Sequence, residues 1–289
     1  MIPILDGLRR IADDYDGMII DLWGVIHDGA AAYPGAAEAL MQLRDRGKRV
    51  VLLSNSPRRA ETLVTMMQGF GIPRDLYHAV MSSGEAVHAE LLTRRDPRFA
   101  ALGRRCYHVG PPRDLHLFDG LDLDRVTGLE EAEFLLNTGP DDVEDSMADF
   151  QPMLDRAAGL GLKMICANPD LVVMHQGREM LCAGALAAYY QQIGGEVVYR
   201  GKPDPAIYKI CFNLLDLPER RILAIGDAFH TDMAGAAATG IDGLFCSGGI
   251  HAEELGTQYG DKPDPGRLAA LAARFPECHP VAAIGGLVW

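Results

Sequence analysis

The chain has 289 residues, 48% of them hydrophobic, enough for one large or two medium domains with a buried core. A net charge of −13 argues against nucleic acid or an anionic membrane surface as a partner. No apolar run approaches the length of a membrane span and no secretory leader is expected. Six scattered cysteines (Cys106, Cys166, Cys182, Cys211, Cys246, Cys278) without a CxxC pair read as reduced, buried thiols of a cytoplasmic protein.

Taken in order, residues 5–14 predict a short amphipathic helix leading into the apolar run Met18-Ile19-Ile20-Asp21. That run reads as a strand buried on both faces, with Asp21 at its carboxyl end. Gly24, three residues later, would let backbone approach a ligand closely. Pro34 and Gly35 open a helix over about 35–46, with Gly47 as its stop. Lys48–Asn55 is a second strand, ending in Ser54 and Asn55, and a helix follows over about 58–69. Strand, helix, strand, helix at this spacing predicts right-handed βαβ units on a parallel sheet. Met81-Ser82-Ser83 caps a further helix at about 84–94.

The rhythm then changes. Residues 95–125 are rich in Arg, Pro, Asp and Gly, with a short strand at 106–109. Strands are expected at 133–137 and 163–168, with a helix near 143–159 between them. Short strands around Val172–His175 follow, with Gly177 before the next element and a helix at about 182–193. Pro205 suits an early position of the next helix. Ile222–Asp227 is a third core strand, Thr231 and Asp232 open a small-residue helix through Ala238, Asp242–Cys246 is a strand, and 264–274 a late helix. The expectation is an α/β protein: a Rossmann-like parallel-sheet core over residues 1–82 and 183–289, with an inserted α/β cap over residues 83–182.

Three strand ends thus carry Asp21, Ser54-Asn55 and Gly226-Asp227, and a loop carries Lys202. Open α/β sheets gather ligands at the carboxyl ends of their strands. Two carboxylates brought together there repel unless a proton or a cation intervenes. Oxygen-only donors point to a hard ion such as Mg²⁺. Lys202 and the donors of Ser54 and Asn55 suit an anion, with phosphate the natural guest. An Asp beside both can itself attack phosphorus.

Four ordered motifs carry a family likeness: Asp21-Leu22-Trp23-Gly24-Val25, Leu53-Ser54-Asn55-Ser56, Gly201-Lys202-Pro203, and Gly226-Asp227 through Asp232. With them, and with the insertion between the second and third, the chain resembles the haloacid-dehalogenase superfamily, class IIA, the branch of nitrophenyl-phosphatase-like and sugar-phosphatase-like enzymes. Asn168-Pro169-Asp170 and the Gly184-Ala185-Leu186 helix fit the same branch. The resemblance implies hydrolysis of a small phosphorylated metabolite through an aspartyl-phosphate on Asp21. Mg²⁺ would be held by Asp21, the Trp23 carbonyl and Asp227, with Asp232 as a water-mediated partner. Ser54, the Asn55 amide and Gly24 would lie against the phosphoryl group, with Lys202 balancing its charge. The resemblance leaves a homodimer open.

One position departs from the pattern. Phosphatases of this superfamily carry an acid–base Asp two residues after the nucleophile, and Trp23 stands there instead. An indole exchanges no proton at neutral pH. His27 and His230 are candidate substitutes, although surface or structural duty is the commoner fate of such residues. Asp28 reads as a turn residue, and His175, Asn168 and Asp170 as loop residues that could face a substrate. Cleavage of C–X or C–P bonds is a rival reaction. Dehalogenation needs no metal, and a C–P hydrolase would want a cap lysine, which Lys163 at a strand start does not supply. A catalytically weak phosphate-binding or regulatory protein is the rival from another class.

Overall fold

Short apolar runs that end in small polar residues become the strands of two separate sheets. The computed structural model describes residues 2–175 and 178–289. In chain order the strands are β1 Gly17–Asp21, β2 Arg49–Ser54, β3 Ala79–Ser82, β4 Arg105–Val109, β5 Asp124–Val126, β6 Phe134–Asn137, β7 Lys163–Cys166, β8 Val172–His175, β9 Arg178–Leu181, β10 Val197–Tyr199, β11 Ile222–Gly226, β12 Asp242–Cys246 and β13 Ala282–Ile284. The chain divides into two units, one of Met1–Ser54, Glu61–Met81 and Lys202–Trp289, the other of Asn55–Ala60 and Ser82–Gly201.

The first unit holds a six-stranded sheet in the order β13-β12-β11-β1-β2-β3. Strand β1 pairs in parallel with both β2 and β11, and β12 pairs in parallel with β11 and β13. Every residue of β1 and β11 is buried, as a strand covered by helices on both faces requires. The chain leaves β1 outward through β2 and β3, then returns on the other side through β11. A crevice therefore opens between the carboxyl ends of β1 and β11, the switch point where open α/β sheets bind ligands. The helix Ala36–Asp45 ends where expected, with Gly47 in the left-handed region at φ +68°. Asp204 caps the helix Pro205–Leu215 by accepting from the Ala206 N–H at 2.9 Å, with Pro205 at its first position.

The second unit holds a five-stranded parallel sheet in the order β10-β7-β6-β4-β5, and a separate antiparallel pair, β8 with β9. Ser82 caps the helix Ser83–Thr93 through the Glu85 N–H at 2.9 Å. Helix Ala183–Gln192 and β10 belong to this unit, which runs to Gly201, whereas the sequence pattern assigned everything after residue 182 to the core. The reason is long-range pairing. β10 lies beside β7, and Ala183, Leu186 and Tyr190 pack with Leu135, Leu154 and Met164.

Other departures are local. Residues 5–14 form two 3-10 turns, Leu8–Arg10 and Ala12–Asp14, rather than a helix. Their backbone is tied instead to the C-terminus, where Leu5 N–H reaches Ala283 and Leu8 N–H reaches Val288. The helix expected from 143 starts at Met147, because Ser146 and Asp149 form a capping box there. Strands β3, β5, β10 and β13, three or four residues each, had no readable alternation. Gly177 and the His175 side chain lie outside the described residues. All six cysteines are buried and unbridged. Among the described residues no helix is long and apolar enough to cross a membrane.

Candidate active site

The site is built on the first sheet. Ile20 pairs with Ile225, so Asp21 and Asp227 both lie just past the last paired residues of β1 and β11. Asp21 itself pairs with Leu53, which puts Ser54 one residue further along β2. Asp21, Ser54, Lys202, Asp227 and Asp232 are all buried. Asp21, Asp227 and Asp232 each offer one carboxylate oxygen, and these oxygens lie within 4.8 Å of one another.

Lys202 Nζ donates to Asp21 Oδ1 at 2.5 Å and to Asp232 Oδ1 at 2.8 Å. Asp232 Oδ2 accepts from the Ala228 N–H at 3.2 Å, so both of its oxygens are engaged and its first duty is to hold Lys202. Asp232 is delivered by a π-helical turn, Phe229–Met233, where a regular helix was expected. Such single π-helical turns are frequent at functional sites. Asp227 Oδ2 accepts from the Ile250 N–H at 2.7 Å. Two glycines make room for this carboxylate, since a Cβ would come within 1.9 Å of Oδ2 at Gly24 and within 2.0 Å at Gly249. Gly24 also sits at φ +82°. Gly24→Ala should therefore cost at least ~1–2 kcal/mol from left-handed strain alone, a loss that urea unfolding would read.

Three buried carboxylates against one lysine leave an uncompensated negative charge. Burial pushes the Asp21 carboxyl well above the ordinary carboxylate range, Lys202 opposes the shift, and Asp232 and Asp227 add to it. A hard divalent cation among these oxygens would remove the repulsion, and an all-oxygen donor set fits one.

The remaining candidates separate. Asn55 is buried in the second unit, where its Nδ2 donates to Asp170 Oδ1 at 2.8 Å and its Oδ1 accepts from Ser83 Oγ at 3.3 Å. Asn168 Oδ1 accepts from the Asp170 N–H at 3.1 Å, a turn role. Asp28 Oδ1 accepts from the N–H groups of Ala30 and Ala31, both at 2.8 Å, which makes it the turn residue its sequence suggests. His27 is buried, with Nδ1 accepting from the Gly29 N–H at 3.0 Å and its ring against Phe70. The half-buried Trp23 meets the His27 ring edge-on at 5.4 Å and lies over Gly29, where a Cβ would be 2.3 Å from the indole. His230 is exposed on the π-helical turn.

Sequence reasoning passed over Gly249, Ile250 and Tyr208. The Gly248-Gly249 pair, one residue past the strand Asp242–Cys246, was a legible signal of close backbone approach. Tyr208, in contrast, looked like any core position of an apolar helix.

Two family profiles match the chain: haloacid dehalogenase-like hydrolase over residues 18–124, and a HAD-hydrolase-like profile over residues 199–272. A crystal structure of a haloacid dehalogenase-like hydrolase from Brucella suis is 34% identical, superposes with a TM-score of 0.83, and covers 98% of this chain and 99% of its own. The ribonucleotide monophosphatase NagD of Escherichia coli is 27% identical over 242 residues, 81% of this chain and 88% of that enzyme. A glycerol phosphate phosphatase from Mycobacterium tuberculosis, solved in complex with calcium, shares the fold with a TM-score of 0.65 at 22% identity, covering 88% of this chain and 73% of its own. With both family profiles and a relative 34% identical over nearly its whole length, the chain belongs to the haloacid dehalogenase-like hydrolases, in their class IIA branch.

Proposed function

We propose that the chain is a Mg²⁺-dependent phosphatase that moves the phosphoryl group of a small phosphorylated metabolite onto Asp21 and then to water. The observation that carries this reading is the buried group of Asp21, Asp227 and Asp232 with Lys202 at the switch point of the first sheet. Among the relatives, NagD is named as a ribonucleotide monophosphatase, and the mycobacterial phosphatase was solved with a divalent cation. The six unbridged cysteines suit a reducing, cytoplasmic setting.

In this reading a carboxylate oxygen of Asp21 attacks phosphorus as the ester oxygen departs with its bonding pair. Water then attacks the phosphorus of the acyl phosphate, releasing inorganic phosphate and the Asp21 carboxylate. Ser54 and the backbone N–H of Asn55, next to it in the chain, hold the phosphoryl oxygens, with Gly24 leaving space beside them; the Asn55 side chain is committed to Asp170 and Ser83. Lys202 opposes the protonation of Asp21 that burial favours, and offsets the charge of the transferred group. Asp21, Asp227 and the Trp23 carbonyl would hold Mg²⁺, and Asp232 would reach it through water. When bound, the ion neutralises negative charge on the phosphoryl group.

The expected result for Asp227→Asn is a sharp loss of Mg²⁺ affinity in a titration calorimeter, with the fold retained. Unchanged Mg²⁺ binding in that variant would reject the metal assignment. A second reading, a phosphate-ligand-binding protein with weak turnover, is favoured by one observation. The residue two places after Asp21 is an indole packed on Gly29, with no proton to give or take.

A further inference from the structure

We propose that Tyr208 is a positioning residue for phosphoryl transfer, acting through the Lys202–Asp232 ion pair; the proposal rests on the reading of Asp21 and Lys202 given above. Lys202 and Tyr208 belong to one short segment. Lys202 lies two residues before the capping Asp204, and Tyr208 is the fourth residue of the helix Pro205–Leu215. The Tyr208 ring is buried and lies across Gly235, where a Cβ would come within 2.3 Å of its Cε2. Its hydroxyl donates to the backbone carbonyl of Asp232 at 3.2 Å.

That hydrogen bond joins the two halves of the ion pair. One end is the helix whose N-terminal approach carries Lys202, and the other is the π-helical turn that carries Asp232. The turn is an irregular element, with the N–H groups of Asp232 and Met233 both directed at the Ala228 carbonyl at 3.0 and 3.1 Å. Single π-helical turns are rare, and the Tyr208 hydroxyl gives this one a contact from outside its own backbone. Gly235 supplies the remaining condition, because any side chain there would displace the ring.

Lys202 hangs on a flexible four-carbon stem. It meets Asp21 in a single geometry because Asp232 holds it from a second direction. Loosening Asp232 lets the ammonium wander, and small displacements of a group that stabilises transferring charge lower the chemical step far more than binding. The Tyr208 hydroxyl bonds the Asp232 carbonyl, so its effect on the chemical step passes through Asp232.

The experiment compares wild type, Tyr208→Phe, Asp232→Asn and the double variant, using p-nitrophenyl phosphate with saturating Mg²⁺. Tyr208→Phe keeps the ring and removes only the hydroxyl. It should lower kcat by about 3–30-fold and leave KM within about twofold, the signature of an interaction made in the chemical step. In the Asp232→Asn background the same change should do nothing further, since coupled residues are non-additive. Cys211→Ala, on the same helix and equally buried, should lower the melting temperature without lowering kcat. A wild-type kcat in Tyr208→Phe, a full additional loss on top of Asp232→Asn, or an equal loss in Cys211→Ala would overturn the proposal. If wild type hydrolyses no phosphate ester, the phosphatase reading fails on its own. The positioning claim is then decided by the crystal structure of Tyr208→Phe: a lengthened Lys202–Asp232 pair supports it, and an unchanged 2.8 Å contact overturns it.

Discussion

Asp21→Asn is expected to lower turnover by roughly 10³-fold or more, the scale seen when a catalytic nucleophile is removed, while inorganic phosphate still binds. The amide is nearly isosteric with the carboxylate, and Ser54 and Lys202 are untouched. The change also removes one of three mutually repelling carboxylates whose oxygens lie within 4.8 Å of one another. Lys202 loses the charge of its partner at 2.5 Å but keeps the Asp232 carboxylate at 2.8 Å, so its charge stays compensated. The fold should therefore survive, with a melting temperature close to that of wild type. Steady-state turnover with calorimetry of phosphate binding separates the two effects. A variant that retained even a tenth of wild-type turnover would place the nucleophile elsewhere.

The second large effect concerns the leaving group. With Trp23 in place of an acid, the departing oxygen is expected to leave largely unprotonated, so that its own basicity governs the first step. Positioned acid–base catalysis is worth about 10²–10⁴-fold, so the penalty falls on alkyl phosphates, whose alkoxides are strong bases. Aryl and acyl phosphates should react faster by a comparable factor. Water attack on the acyl phosphate also lacks a base, so phosphorylated Asp21 should accumulate and be detectable by mass spectrometry of rapidly quenched enzyme. Trp23→Asp should flatten the dependence and raise the alkyl rates. Its cost to stability should stay below the ~3–5 kcal/mol of truncating a fully buried aromatic, because the indole is only half-buried.

A rate series over phosphates of graded leaving-group basicity, in wild type and Trp23→Asp, tests this. A flat wild-type series would mean that another group supplies the proton. His27 is poorly suited, since its Nδ1 is committed to the Gly29 N–H and its ring is packed against Phe70. That would leave His230, exposed on the π-helical turn, as the residue to substitute next. No turnover at all across the series would favour the phosphate-binding reading.

Much of this protein is legible in one dimension. Buried parallel strands announce themselves as apolar runs ending in small polar residues, and Asp21, Ser54 and Asp227 follow because each is the first polar residue after such a run. Caps are equally local, which is why Ser82, Pro205 and Gly47 stand where their chemistry suggests. The order of the four motifs, being a property of the chain alone, was sufficient to point to the family.

What only the tertiary structure decided involves partners far apart in sequence. Whether Asp232 serves a cation or a lysine depends on Lys202, 30 residues away, and on a π-helical turn that no periodicity encodes. The extent of the second unit to Gly201 was set by β10 pairing with β7, a choice made by the neighbouring strand rather than by the three residues of β10. Asn55 and Asp170 lie 115 positions apart, yet one amide–carboxylate bond commits both side chains. Local sequence sets which conformations are cheap for a segment. Which buried polar groups meet is settled only when the folded chain brings them together, because a buried donor or acceptor must find a partner wherever one lies.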